Sequence, residues 1–178
     1  MTVPVYCVAA VTVIIFAWGS DKLQCRSLFT CLGCGISAIG WGIGLASHDP
    51  QTRYAGCFIA AMGAYAGFPS IVALLSQNVG GATKRATSIA VQVGVGGLAG
   101  ICSSNIFPAK DAPHFTRAYR INVGLNCLAV AGSLVNFACL YYANKRKRAM
   151  IESGEAARIP KQQLADMGDV SPFFIYKY

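Results

Sequence analysis

The chain has 178 residues, 54% of them apolar and only 12% charged, about half the charged share usual in a soluble domain. Its net charge is +8, but the basic residues stand in short clusters between apolar runs rather than along one face or among exposed aromatics. That pattern argues against nucleic-acid binding and for the loop charge bias of membrane proteins.

Five runs are long enough to cross a bilayer core, which takes roughly 20 apolar residues. They cover about 2–19, 28–46, 54–75, 86–107 and 121–143, and none contains Asp, Glu, Lys or Arg. Apolar residues fill every side of each run, which excludes amphipathic helices on a soluble core. The first run follows the initiator Met but lacks a basic leader and a clear cleavage pattern before SDKLQCR, so it reads as a spanning helix rather than a secretory signal. The second run carries Cys31 and Cys34 at CxxC spacing, with no His and no second pair to complete a zinc site. Seven of the eight cysteines lie inside apolar runs and read as small packing residues. No metal or cofactor is expected.

In the third run Pro69 removes a helix hydrogen bond and predicts a bend, with Tyr65, Phe68 and Ser70 as candidate cavity contacts beside it. Next comes SQNVGGATKRAT, a turn in which Gly80 and Gly81 permit a tight reversal and Thr83 or Ser88 is a candidate cap for the next helix. The fourth run holds Gly94, Gly96, Gly97 and Gly100, a superficial dinucleotide fingerprint without the strand such a site needs. Gly40 with Gly44, Gly63 with Gly67, and Gly96 with Gly100 are each spaced to lie on one helix face and admit a close neighbour. Residues 144–178 turn polar and mixed in charge and read as a tail. Its KRKR cluster serves as an orientation signal before any binding of anionic lipid.

Loop charge sets an orientation. Lys22, Arg26, Lys84, Arg85, Lys145, Arg146, Lys147 and Arg148 fall in one set of connections, against Arg53, Lys110, Arg117 and Arg120 in the other. The first set belongs in the cytoplasm, which predicts an external N-terminus and a cytoplasmic C-terminus.

Several stretches resemble the C-terminal half of the major facilitator superfamily, and within it fungal anion:cation symporters similar to allantoate and nicotinate permeases. In NVGGATKRATSIAVQVGVGGLAGICSSNIFPAKDAPHF, the residues Asn78, Gly81, Thr83, Lys84, Arg85, Gln92, Asn105, Ile106, Phe107, Asp111, Ala112 and Pro113 carry the likeness. Gly19, Asp21 and Arg26 of GSDKLQCR resemble a repeated cytoplasmic loop, and Gly168, Asp169, Pro172 and Phe173 of MGDVSPFFIY resemble these permeases' tail. Lys22, Gln24 and Gly97 depart from the family pattern. The resemblance implies an all-α membrane fold in which the five runs correspond to helices 8–12 of twelve.

It further implies a multi-pass carrier, in the plasma membrane, for a small organic anion of ureide or pyridine-carboxylate type, coupled to protons. Gln92 and Asn105 join Tyr65, Phe68 and Ser70 as cavity candidates, and Asp21, Arg26, Asn78, Lys84 and Arg85 are loop residues for gating or topology. The implied partners are membrane lipid, the anion, and either the first seven helices or another copy. The rival reading is a self-contained five-span assembly or regulatory subunit. An enzyme is not expected, because His48 and His114 fall in the predicted external loops and no nucleophile and base share a helix face.

Overall fold

The computed structural model describes residues 3–47, 49–107, 115–154 and 167–178. Its helices are α1 (Val3–Leu23), α2 (Arg26–Ala46), α3 (Pro50–Asn78), α4 (Ala82–Ile106) and α5 (Thr116–Glu152), followed by a 3-10 turn at Gly168–Val170. No strand occurs among the described residues, and all five helices are long and apolar enough to cross a membrane. The chain is an all-α, multi-pass membrane protein, since only helices satisfy their own backbone in lipid without an edge to close. His48, Lys110, Asp111, Ala112, Pro113, His114 and residues 155–166 lie outside the described residues.

The helices outrun the apolar segments. Asp21 and Lys22 end α1, and Pro50 starts α3, where Asp49 Oδ2 accepts from the Thr52 amide at 3.1 Å. A proline in the first turn and an Asp cap are compatible because the first amides of a helix have no carbonyl partner within it. With 37 residues, α5 is about 55 Å long at 1.5 Å per residue, well beyond a core of about 30 Å. Lys145, Arg146, Lys147 and Arg148 are therefore helical, and the expected boundary at 143 falls within α5.

Small residues hold the bundle together. α2 lies closest to α3, and a Cβ on Gly33 would stand 2.9 Å from the Gly67 Cα, while one on Gly56 would stand 2.8 Å from the Gly40 carbonyl oxygen. A Cβ on Gly40 would collide with the Ala60 backbone, and one on Gly63 with that of Ser37. Gly40, Gly63 and Gly67 thus sit at backbone contacts and Gly44 against the Tyr119 ring; around Gly94, Gly96, Gly97 and Gly100 an added Cβ would meet nothing within 4 Å. The buried apolar residues of the helices are alanines (Ala9, Ala60, Ala66, Ala118), whereas Ile14, Trp18, Leu98 and Leu128 are exposed. Large side chains outward and small ones inward is the arrangement a lipid solvent favours.

Pro69 does not end α3, which stays helical from Pro50 to Asn78. The turn after it departs from expectation. Neither Thr83 nor Ser88 caps α4; the cap position is Gly81, with φ of 88° and no side-chain bond. That backbone conformation is one that glycine adopts without strain.

Candidate functional site

The tightest polar cluster ties residues 167–178 to the helix ends. Asn144, 1% exposed in α5, donates through Nδ2 to the Tyr176 carbonyl and accepts from the Tyr176 amide through Oδ1, both at 2.8 Å. Asn78, at the end of α3, treats Lys177 the same way, donating to its carbonyl at 2.8 Å and accepting from its amide at 2.7 Å. A carboxamide offers one donor and one acceptor side by side, so each Asn substitutes for a neighbouring strand.

Lys147 completes the clasp. Its Nζ donates to the carbonyls of Asp169 (2.7 Å) and Phe174 (2.8 Å) and stands 3.8 Å from the Tyr176 ring centroid. A buried ammonium is tolerable only with such partners. Lys84 Nζ binds the Asp169 carboxylate at 2.6 Å, and that bond holds the Asp169 carboxyl below its usual pKa. Gly80 makes the approach possible, because a Cβ there would lie 2.5 Å from the Asp169 nitrogen. Lys177 Nζ reaches Gln24 Oε1 at 3.2 Å. The α1–α2 turn, the α3–α4 turn and the end of α5 thus meet at one end of the bundle, together with the more basic set of connections. Lys147, counted among the orientation cations, is turned inward and withdrawn from lipid.

The loop residues gather at this end. Asp21 and Arg26 form an ion pair across the two-residue α1–α2 reversal. Arg85 donates through Nε and Nη2 to the Val79 carbonyl, both at 3.3 Å, closing its own turn.

The five cavity candidates do not converge. Tyr65 and Phe68 line a hollow of about 390 Å³ with Val13 and Pro69 on the α1–α3 face, where Tyr65 meets Tyr6 edge to face at 5.9 Å. Ser70 is buried beyond Pro69 in a smaller hollow of about 110 Å³ that also holds Asp21 and Arg26. Gln92 faces a third hollow among α2, α3, α4 and α5. Asn105 stands exposed near the far end of α4 and bonds back to the Ile101 carbonyl at 3.1 Å. At that end Trp41, Phe107 and Tyr119 cluster, with Trp41 and Tyr119 at 5.6 Å.

Asn144, Lys147 and Tyr176 were missed as site residues because polar residues beyond an apolar run read as solvated. The one signal was the MGDVSPFFIY likeness to a known tail. Among the described residues no group of His, Cys, Asp and Glu is placed to hold a metal.

No family model matches the chain, and no solved structure does. Similarity to curated proteins extends over the full length. The chain is 31% identical over 178 residues to a high-affinity nicotinic acid transporter of Saccharomyces cerevisiae, covering 100% of this chain and 33% of that protein. It is 32% identical over 157 residues to an uncharacterized transporter of Schizosaccharomyces pombe (87% of this chain, 31% of the relative). It is 28% identical over 176 residues to a major facilitator-type transporter of Emericella nidulans (95% and 35%). The chain spans about a third of the length of the curated relatives it matches. These relatives are transporters and not enzymes, and the chain is similar along its length to one part of fungal transporters of the major facilitator type.

Proposed function

We propose that these five helices correspond to helices 8–12 of a proton-coupled carrier for a small organic anion of pyridine-carboxylate or ureide type. The observation that carries the reading is the 31% identity across the whole chain to a nicotinic acid transporter. In such a carrier two bundles rock about a substrate held near the membrane midplane. The exposed α1–α3 face with Tyr65 and Phe68 is the surface this chain turns to the substrate. Asp21 with Arg26, beneath Ser70, forms part of the gate on the clasped side.

The apolar runs hold no ionisable proton carrier or anion clamp, groups expected at membrane depth in a coupled carrier. Those groups come from helices outside the five. The clasped end faces the cytoplasm and the membrane is the plasma membrane, as the charge bias and the family likeness suggest.

The test joins the chain to helices one to seven of a related carrier in cells without organic-anion permeases. Saturable, pH-dependent uptake of labelled nicotinate or allantoate is expected. Uptake of a neutral amide that both anions fail to inhibit would refute the substrate class. In the same cells Cys25, with the other cysteines replaced, should react with an impermeant thiol reagent only after permeabilisation; labelling in intact cells would reverse the orientation.

A further inference from the structure

The hollow that Gln92 faces measures about 450 Å³, within the range of small-molecule sites. Its walls are mostly apolar, with Ile71, Leu74 and Leu75 from α3 and Leu140 from α5. Into it face Ser27 and Thr30 of α2, residues only 3% and 5% exposed, and Gln92 of α4. Ser27 Oγ, Thr30 Oγ1 and Gln92 Oε1 are buried and have no hydrogen-bond partner among the described residues.

Several helical hydroxyls elsewhere in the chain behave otherwise, although Ser37 Oγ of α2, outside this hollow, is also buried without a partner among the described residues. Thr12 donates to the Val8 carbonyl at 2.8 Å, Thr87 to that of Thr83 at 3.0 Å, and Ser133, on the wall of this same hollow, to that of Val130 at 2.8 Å. Such back-bonding is the usual refuge of a hydroxyl in a helix. Thr30 forgoes it, Ser27 stands in the first turn of α2 with no carbonyl of that helix three or four residues back, and a buried polar atom left unpaired is costly enough that natural proteins rarely keep three around one space.

We propose that this hollow is a binding site for a small uncharged molecule of the carboxamide class, distinct from the transported anion. Among the described residues no Lys, Arg, His, Asp or Glu lines it, so an ion entering would shed its water without meeting a counter-charge. Gln92 Oε1 only accepts and therefore needs an N–H or O–H from the ligand. The Ser27 and Thr30 hydroxyls each donate or accept. A primary amide presents an NH₂ donor and a carbonyl acceptor on one edge, and an attached apolar ring would lie against Ile71, Leu74 and Leu140. A lipid chain fits the walls but leaves all three polar atoms unpaired.

The experiment is equilibrium dialysis of the full chain in lipid nanodiscs against labelled benzamide and labelled benzoate, which share a shape and differ in charge. Benzamide should bind saturably above empty nanodiscs, and benzoate should not. Thr30→Val, which keeps the side-chain shape, and Gln92→Leu should each weaken benzamide binding by about tenfold. Both variants should elute as the same monodisperse species as the parent, which separates a lost contact from a lost fold. Three results would each overturn the proposal: benzamide retention equal to that of empty nanodiscs, equal affinity for benzoate, or unchanged affinity in both well-folded variants.

Discussion

Gly40→Leu should prevent the chain from being recovered as a folded, monodisperse species, while Gly42→Leu, two residues along the same helix, should be tolerated. A Cβ on Gly40 falls on the backbone of Ala60 and within 2.7 Å of the Gly56 carbonyl oxygen; one on Gly42 meets nothing within 4 Å. The obstacle at Gly40 is main chain of a neighbouring helix and cannot swing aside as a side chain would. Overpacking that side chains can absorb costs about 1–3 kcal/mol, and here α2 and α3 must separate along a contact that also includes Gly33, Gly63 and Gly67. Thermal melting in detergent checks the contrast, with Gly40→Ala intermediate. Equal melting of the two leucine variants would mean that α2 and α3 do not meet at these glycines.

Asn144→Ala should free the tail. The substitution deletes two 2.8 Å bonds and leaves the Tyr176 amide and carbonyl without their partner. At about 0.5–1.5 kcal/mol for each bond, the clasp should lose about 1–3 kcal/mol. Hydrogen exchange reads this loss directly, because the Tyr176 amide is held by Asn144 and the Lys177 amide by Asn78. Both amides should exchange about tenfold to a hundredfold faster in the variant. Asn144→Asp keeps the acceptor and loses the donor, so its exchange should fall between. Unchanged protection in Asn144→Ala would mean that the tail is held elsewhere.

The membrane helices were legible because uninterrupted apolar length is a signal that needs no tertiary context. The Gly40 and Gly63 contacts were legible for a related reason: four-residue spacing places small residues on one face whatever the neighbour. The same spacing at Gly96 and Gly100 meets no neighbour, since spacing shows that a face is smooth but not what covers it. The cavity candidates were less legible. Tyr65, Phe68 and Ser70 are close in sequence, yet they line two hollows on either side of Pro69, and Gln92 lines a third. Helix ends were extended by polar residues that hydropathy assigns to loops, as with Asp21, Lys22 and Lys147. The clasp escaped because its partners are far apart in sequence and each looks solvated alone.

The central claim is that the five helices transport only together with further membrane helices. The most direct measurement is uptake of labelled nicotinate and allantoate by cells lacking organic-anion permeases that express residues 1–178 alone, compared with the same residues joined to helices one to seven of a related carrier. Uptake at background from the chain alone and saturable uptake from the joined form is the expected result. Saturable uptake by residues 1–178 alone would contradict the account and make the five helices an autonomous carrier.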